Sequence, residues 1–283
     1  MYAVTGATGQ LGRHVMADLV KTTPPASIIA AVRDPAKAAP LAAQGIQVRE
    51  ADYDRPETLE AAFQGVERLL LISSSAVGRR VTQHQAVIAA AKAAGVSVVL
   101  YTSLLHADRS AIGLAEEHRQ TEAALRDSGL SVVLLRNGWY AENYLNGVSP
   151  AVTRGVLFGA AGDGRISTAS RSDYAAAAAV ALAGAETSGV YELAGDESWT
   201  LADLAEVISK AADKPVAYKD ISEAAYREAL IGAGLPEHVA EIVANADASA
   251  AKGALFDDSR TLSRLIGRPT ITMTQMINAV LNG

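Results

Sequence analysis

The strongest chemical signal in the chain is Gly6-Ala7-Thr8-Gly9-Gln10-Leu11-Gly12 near its amino end. Three glycines spaced Gly-x-x-Gly-x-x-Gly let a backbone turn tightly and lie close to a ligand. The run Tyr2-Ala3-Val4-Thr5 before them reads as a buried strand, and Leu11 to Leu19 after them as a helix. A strand, a glycine turn and a helix N-terminus form an anion cradle, because free N–H groups and the positive end of the helix dipole face the same point. The linked phosphates of a dinucleotide are the matching ligand. The spacing departs from the commoner Gly-x-Gly-x-x-Gly, so the placement on the first strand of the chain is what gives the motif its weight.

The second strand ends Val32-Arg33-Asp34. A carboxylate there accepts hydrogen bonds from the ribose hydroxyls of NAD, whereas a guanidinium pairs with the 2′-phosphate of NADP. Arg33 favours NADPH. It can also stack on adenine or stand as a solvated surface arginine, and one residue of slippage would bring Asp34 to the ribose instead. Asp52, after the third strand, either borders the adenine or is a plain loop residue.

Three further loops fall where strands end: Ser73-Ser74-Ser75, Thr102-Ser103 and Asn137-Gly138-Trp139-Tyr140. In an open α/β sheet the carboxyl ends of the strands face the ligand, so these loops are expected at the nicotinamide end. Small hydroxyl residues also simply terminate strands. Trp139, Tyr140, Tyr144 and Phe158 can form a wall for a flat acceptor, or pack as core.

Short-chain dehydrogenases place a Tyr-x-x-x-Lys pair on the helix after the fifth strand, the tyrosine giving a proton to a carbonyl oxygen. The corresponding helix here reads His118-Arg119-Gln120-Thr121-Glu122, and the pair is missing. Ser103 matches the position of the strand-five serine of those enzymes. A ketone needs an acid as hydride arrives. A quinone needs one less, because hydride turns it into a stabilised phenolate. The candidate catalytic side chains are therefore few: His118, Ser103 and Tyr140. His118 acts as an acid, or sits on the helix surface with Glu122 as its i+4 partner. His106 lies beside Asp108 and Arg109, which suggests a solvated loop.

The elements that must hold these residues follow the same rhythm. Strands are expected at 28–32, 46–49, 68–72, 96–101 and 131–135, and helices at 35–44, 56–63, 79–94 and 112–127. Gly45, Gly65, Gly95 and Gly129 each precede a strand, where a helix ends in a left-handed residue. This order gives an α/β fold, a doubly wound parallel sheet of the NAD(P)-binding Rossmann type. After Arg136 the rhythm changes. Gly159-Ala160-Ala161-Gly162-Asp163-Gly164 opens no long helix and reads as a hairpin or loop, its other reading being a second phosphate site. A helix is expected at 172–183 and a strand at 190–193, and Thr200 with Asp203 caps a further helix. Residues 1–136 thus form the dinucleotide-binding domain. Residues 137–283 form a smaller, mainly helical, substrate-side lobe, with parts of 165–195 returning to the sheet.

Composition narrows the function classes. The chain has 283 residues, 49% of them hydrophobic and 20% charged, which supports a real core. A formal charge of −6 argues against nucleic acid as the main partner. No cysteine is present, so no disulfide, thiolate or cysteine–metal site exists, which fits a reducing cytoplasm. No metal site is expected. The amino end leads directly into the first strand, leaving no expected secretion signal. The most apolar stretch, 174–185, falls short of the about 20 residues that cross a bilayer. A homo-oligomer is left open.

Taken together, Thr5 to Gly12, Ala31-Val32-Arg33-Asp34-Pro35, Leu70 to Ser75, Tyr101 to Asp108, Leu135 to Tyr140 with Glu142-Asn143, and Gly159 to Gly164 resemble the NmrA-like atypical short-chain dehydrogenases. The likeness covers essentially the whole chain and is nearest to the bacterial quinone-reducing branch of the family. It implies an enzyme without flavin that passes hydride from NADPH to a quinone. It implies that Gly6, Ala7, Thr8, Gly9, Gln10 and Leu11 hold the pyrophosphate and Arg33 the 2′-phosphate. It places Ser73, Ser74, Ser75, Asn137, Gly138, Trp139, Tyr140 and Asn143 along the cofactor. Arg171 matches a position that closes over the cofactor; its other reading is a first-turn helix residue. The same family includes triphenylmethane dye reductases and redox-sensing regulators that bind the dinucleotide without turnover.

Overall fold

The apolar runs and glycine stops of the first half fold as their spacing dictates. In a computed structural model, which describes residues 1–282, they form β1 (Tyr2–Thr5), β2 (Ile28–Val32), β3 (Gln47–Glu50), β4 (Arg68–Leu71), β5 (Val98–Leu104) and β6 (Ser131–Asn137). Between them lie α1 (Gln10–Leu19), α2 (Ala39–Ala42), α3 (Pro56–Phe63), α4 (Arg80–Ala93) and α5 (Ala115–Asp127). The rest of the chain forms α6 (Glu142–Leu145), α7 (Val148–Arg154), β7 (Val156–Gly159), α8 (Arg171–Ala183), β8 (Gly189–Leu193) and α9 (Leu201–Ala212). It continues through β9 (Ala217–Asp220), α10 (Glu223–Gly232), α11 (Glu237–Ala250), α12 (Thr261–Ile266) and α13 (Met273–Asn282).

Two compact units result. Residues Met1–Ala107, Glu116–Asn137 and Arg171–Tyr191 make the first; Asp108–Ala115, Gly138–Ser170 and the chain from Glu192 onward make the second. The first holds a seven-stranded sheet in the order β3-β2-β1-β4-β5-β6-β8, with β1 to β6 paired in parallel. The order reverses between β1 and β4, which puts the switch point of the doubly wound sheet at the carboxyl end of β1, where the glycine loop begins. Leu59 and Phe63 of α3, Val87 and Ala91 of α4, and Leu69, Leu71, Tyr101 and Leu134 of the sheet form one fully buried layer. Each such leucine or phenylalanine stabilises the fold by about 1.5–3 kcal/mol relative to exposure. On α8, Tyr174 and most of the following alanines are buried, and the helix packs against α1.

Several expected boundaries move, each for a local reason. The 35–44 helix is broken into a 3₁₀ turn at Pro35–Ala38 and the single turn α2, because Pro40 lacks the N–H that a continuous helix needs. The fifth strand begins at Val98 and runs on to Leu104, and the sixth runs to Asn137, so Thr102, Ser103, Arg136 and Asn137 lie in strands rather than in loops. Ser103 and Leu104 pair in register with Arg136 and Asn137. Gly45, Gly65, Gly95 and Gly129 have φ between +73° and +83°, as their positions require. In the second unit, β7 pairs in parallel with β9, so the glycines after β7 form a loop and not a hairpin. Thr200 and Asp203 cap α9 reciprocally, as expected, and Leu201, Leu204, Ala205 and Ile208 are buried along it. Among the described residues no helix is long and apolar enough to cross a membrane.

Candidate active site

The glycine loop is built so that its backbone can lie open with little side chain in the way. Gly6 has φ +59°, a left-handed conformation that favours glycine, and the Gly9 N–H closes a turn on the Gly6 carbonyl at 2.8 Å. A Cβ on Gly12 would stand 2.2 Å from the Gly6 oxygen and 2.8 Å from Ala7 Cα, so only glycine lets α1 lie against the loop. Ala7 and Leu11 anchor the loop in the core, while Gly6, Gly9 and Gln10 are exposed and Thr8 half-exposed. Gly9 is the N-cap and offers no side chain to the helix end, and the first turn of α1 has no acidic residue. The first helical bond, from Arg13 N–H to the Gly9 carbonyl at 3.0 Å, leaves the amides of Gln10, Leu11 and Gly12 without an intrahelical acceptor. A bare positive helix end results. The Thr5 hydroxyl ties β1 to β4 at this point, donating to the Leu70 carbonyl at 3.2 Å and accepting from Ile72 N–H at 3.0 Å.

At the end of β2 the rival charges are sorted. Asp34 accepts from Ala36 N–H at 3.1 Å, capping the 3₁₀ turn, and lies 3.8 Å from Lys37. Asp52 accepts from Asp54 N–H at 3.0 Å and from Arg55 at 3.3 Å. Both carboxylates are thus engaged in local turns. Arg33 is exposed and makes no hydrogen bond or ion pair among the described residues. A 2′-phosphate would therefore meet an uncommitted guanidinium.

The Ser73–Ser75 segment is held from behind. Ser73 N–H donates to the Thr102 hydroxyl at 2.9 Å. Ser74 N–H donates to His84 Nε2 at 2.9 Å, its carbonyl accepts from Arg80 Nε at 2.7 Å, and its hydroxyl donates to Gln83. The Ser74 hydroxyl faces α4, while Ser75 is exposed. The sequence alone does not single out His84, Gln83 and Arg80. Their signal was available: they continue the buried stripe of Val87, Ile88 and Ala91 along α4 with polar residues.

On the next strand and helix the expected acid–base residues are committed to packing. Tyr101 and His118 share a hydrogen bond of 2.7 Å, and Ser103 donates to Glu122 at 2.6 Å. Two residues along a strand advance about 6.6 Å and four along a helix about 6 Å, so the i, i+2 pair on β5 meets the i, i+4 pair on α5 rung for rung. His118 is not a surface histidine and Glu122 is not its partner. Burial lowers the His118 pKa well below the usual histidine value, aided by the charge of Arg80. Glu122 is 1% exposed and takes both a two-pronged contact from Arg136, at 2.9 and 2.8 Å, and one from Arg126 at 2.8 Å. The Ser103 hydroxyl, spent on that carboxylate, lies inside a strand and not in a substrate loop. His106 is half-buried with φ +50°.

Asn137 ends β6 at the same carboxyl edge. It is 4% exposed, and its side-chain carbonyl oxygen has no hydrogen-bond partner among the described residues. A buried acceptor left open costs about 1–3 kcal/mol unless a ligand satisfies it. Arg171 is the first residue of α8 and half-buried. In the second unit, Gly138 N–H donates to the Leu193 carbonyl at 2.8 Å, Trp139 is buried, Tyr140 is half-buried and bridges to Ala169, and Asn143 is exposed. Of the other aromatic candidates, Tyr144 packs edge-on against Trp199 at 5.0 Å and reaches Asp247 at 3.4 Å, and Phe158 lies under Lys219. No group of three potential metal ligands occurs among the described residues.

A bare helix end behind a glycine turn, an uncommitted arginine at the end of β2 and an open amide at the end of β6 fit a phosphorylated pyridine dinucleotide. The fold and this cradle define a Rossmann dinucleotide-binding protein, and the chain belongs to the NmrA-like family, whose model matches residues 2–268. It is 56% identical over 283 residues to quinone oxidoreductase 2 of Escherichia coli (strain K12), covering 100% of this chain and 99% of that protein. The crystal structure of the NADPH-dependent quinone oxidoreductase from Escherichia coli complexed with NADPH has a TM-score of 0.98 to it, with 100% of both chains covered. The Citrobacter sp. triphenylmethane reductase complexed with NADP(H) is similar at a TM-score of 0.95 and 36% identity, over 99% of this chain and 100% of that one.

Proposed function

We propose that this chain is an NADPH-dependent quinone reductase that works without flavin. The observation that carries the reading is the likeness, over the whole of both chains, to a quinone oxidoreductase whose structure holds NADPH. The local geometry supports it. The backbone amides of Gly6 to Leu11 hold the pyrophosphate, and Arg33 holds the 2′-phosphate by charge-assisted bonds. The Ser73–Ser75 segment and the open carbonyl of Asn137 line the cofactor at the carboxyl edge of the sheet. NADPH, when bound, supplies hydride.

The chain's own residues then do little acid–base work. His118 is buried, bonded to Tyr101 and held neutral, and the Ser103 hydroxyl donates its hydrogen bond to Glu122. An acceptor that becomes aromatic on gaining hydride suits such a site, since water can complete the protonation. Catalysis rests on placing two flat rings in contact. The likeness to a triphenylmethane reductase supports a second reading, in which the acceptor is a conjugated dye.

Steady oxidation of NADPH on adding benzoquinone or a naphthoquinone tests the reading, with protein whose visible spectrum shows no flavin. Saturable, protein-dependent oxidation is expected. NADPH binding without turnover of any quinone would turn the assignment toward a sensor.

A further inference from the structure

We propose that His84 is a positioning residue for the cofactor, setting the backbone of Ser73–Ser75 through the Ser74 amide. This rests on the reading of that segment as a cofactor contact. On α4, Arg80, Gln83, His84, Val87, Ile88 and Ala91 form one buried stripe. Burying three polar side chains at the end of a stripe that apolar packing would otherwise fill is costly unless each is bonded. All three are bonded, and all three converge on Ser74.

Each takes a different group of that residue: His84 the N–H, Arg80 the carbonyl and Gln83 the hydroxyl. Behind them stand α5 and the turn after β3. The second arm of Arg80 donates to Glu117 at 2.8 Å, which also accepts from Gly78 N–H, and Gln83 donates to Asp54 at 2.8 Å. Ser74 is therefore braced against two other elements of the unit, and its own side chain turns away from the sheet edge.

His84 is the member whose chemistry is most constrained. An amide can only donate, so Nε2 must present its lone pair and Nδ1 must carry the proton. Nδ1 lies 3.0 Å from the Thr121 hydroxyl, which donates onward to the Glu117 carbonyl at 2.9 Å. Thr121 thus fixes the tautomer that the Ser74 bond requires. The imidazole is fully buried and meets Tyr53 and Tyr101 in edge contacts at 6.3 and 5.3 Å. Burial, with the nearby Arg80 charge, pushes its pKa down to about 3, so the lone pair persists at physiological pH. A histidine at zero exposure, in one tautomer, whose acceptor nitrogen holds a single loop amide, is placed to set that loop and not merely to fill space.

The test compares His84→Ala, His84→Gln and Thr121→Val by calorimetric NADPH titration, thermal melting and steady-state kinetics on the full chain. Loss of one buried bond that orders a ligand loop is worth about tenfold in affinity. His84→Ala is expected to weaken NADPH binding about tenfold while kcat at saturating NADPH stays within about twofold. Glutamine keeps an acceptor at a similar reach, and His84→Gln is expected to return to within about threefold of the parent. Thr121→Val removes the tautomer lock and is expected to weaken NADPH about threefold. Parent-like NADPH affinity in His84→Ala, with only a lower melting temperature, would overturn the proposal. If His84→Ala does not fold, the other two decide it: parent-like binding by Thr121→Val, or a glutamine variant no better than about tenfold impaired, overturns it as well. A parent chain that ignores NADPH would bring down the cofactor reading itself, a different and separately visible result.

Discussion

The glycine loop and the β5–α5 interface both sit where a Rossmann enzyme keeps its chemistry, and they use their residues in opposite ways. In the loop the groups left without an internal partner are backbone amides, and few side chains intervene: Gly6, Gly9 and Gly12 leave room, while Ala7 and Leu11 hold the loop to the core. At β5–α5 the side chains are the right types for proton transfer, yet Tyr101 is bonded to His118 and Ser103 to Glu122. Residue type announces a candidate site where it dictates the backbone geometry. Where side chains would do it, type alone does not say which way they face.

Gly12→Ala strikes the first region hardest. The added methyl would sit 2.2 Å from the Gly6 oxygen, so the loop must move. The expected result is a loss of NADPH affinity of about hundredfold or more in titration, with overpacking of about 1–3 kcal/mol in denaturant melts. Unchanged affinity would break the contrast on the loop side. Arg33→Ala is expected to raise the KM for NADPH by about tenfold or more and to leave that for NADH nearly unmoved, since one charge-assisted contact with the 2′-phosphate is lost. Equal effects on the two coenzymes would unseat that contact.

The interface side is sharpened by His118→Ala. Quinone turnover is expected to stay within about fivefold of the parent, while stability falls by about 1–3 kcal/mol because Tyr101 loses its buried partner. A fall in kcat of about hundredfold would make His118 an acid after all.

Two buried groups give the smallest and most specific effects, in pH-dependent melts. The His84 pKa is about 3 in the folded chain against about 6.5 unfolded, so the unfolded state binds more protons between those values and stability is lost as pH falls through that window. Asp247 is the reverse: burial raises its pKa to about 6, so the folded state binds more protons between about 4 and 6 and stability falls as pH rises there. His84→Gln should therefore flatten the acid limb, and Asp247→Asn should stabilise the chain above about pH 6. The same slope in His84→Gln as in the parent would remove the histidine as its source.

Much of the fold was legible because it rests on local rules. Glycines before strands, apolar runs of four to six residues and the Thr200–Asp203 cap each act within a few residues of themselves. The glycine cradle was legible for the same reason. The lengths of β5 and β6 were not, because Thr102 and Ser103 look like strand terminators until Thr102 is seen accepting from Ser73 N–H, and Ser103 and Arg136 donating to Glu122. The sorting of Arg33 from Asp34 depended on a cap at Ala36 that only the folded turn reveals. His84 escaped notice because a single histidine within an alanine-rich helix has no spacing of its own. Read with Arg80 and Gln83 on one face, it does.

Whether the amino-terminal cradle with Arg33 binds NADPH is decided by a calorimetric titration of the purified chain with NADPH and with NADH. Saturable NADPH binding in the micromolar range is expected, with NADH weaker by about tenfold or more. No heat from either nucleotide at millimolar concentration, or equal affinity for both, would contradict it.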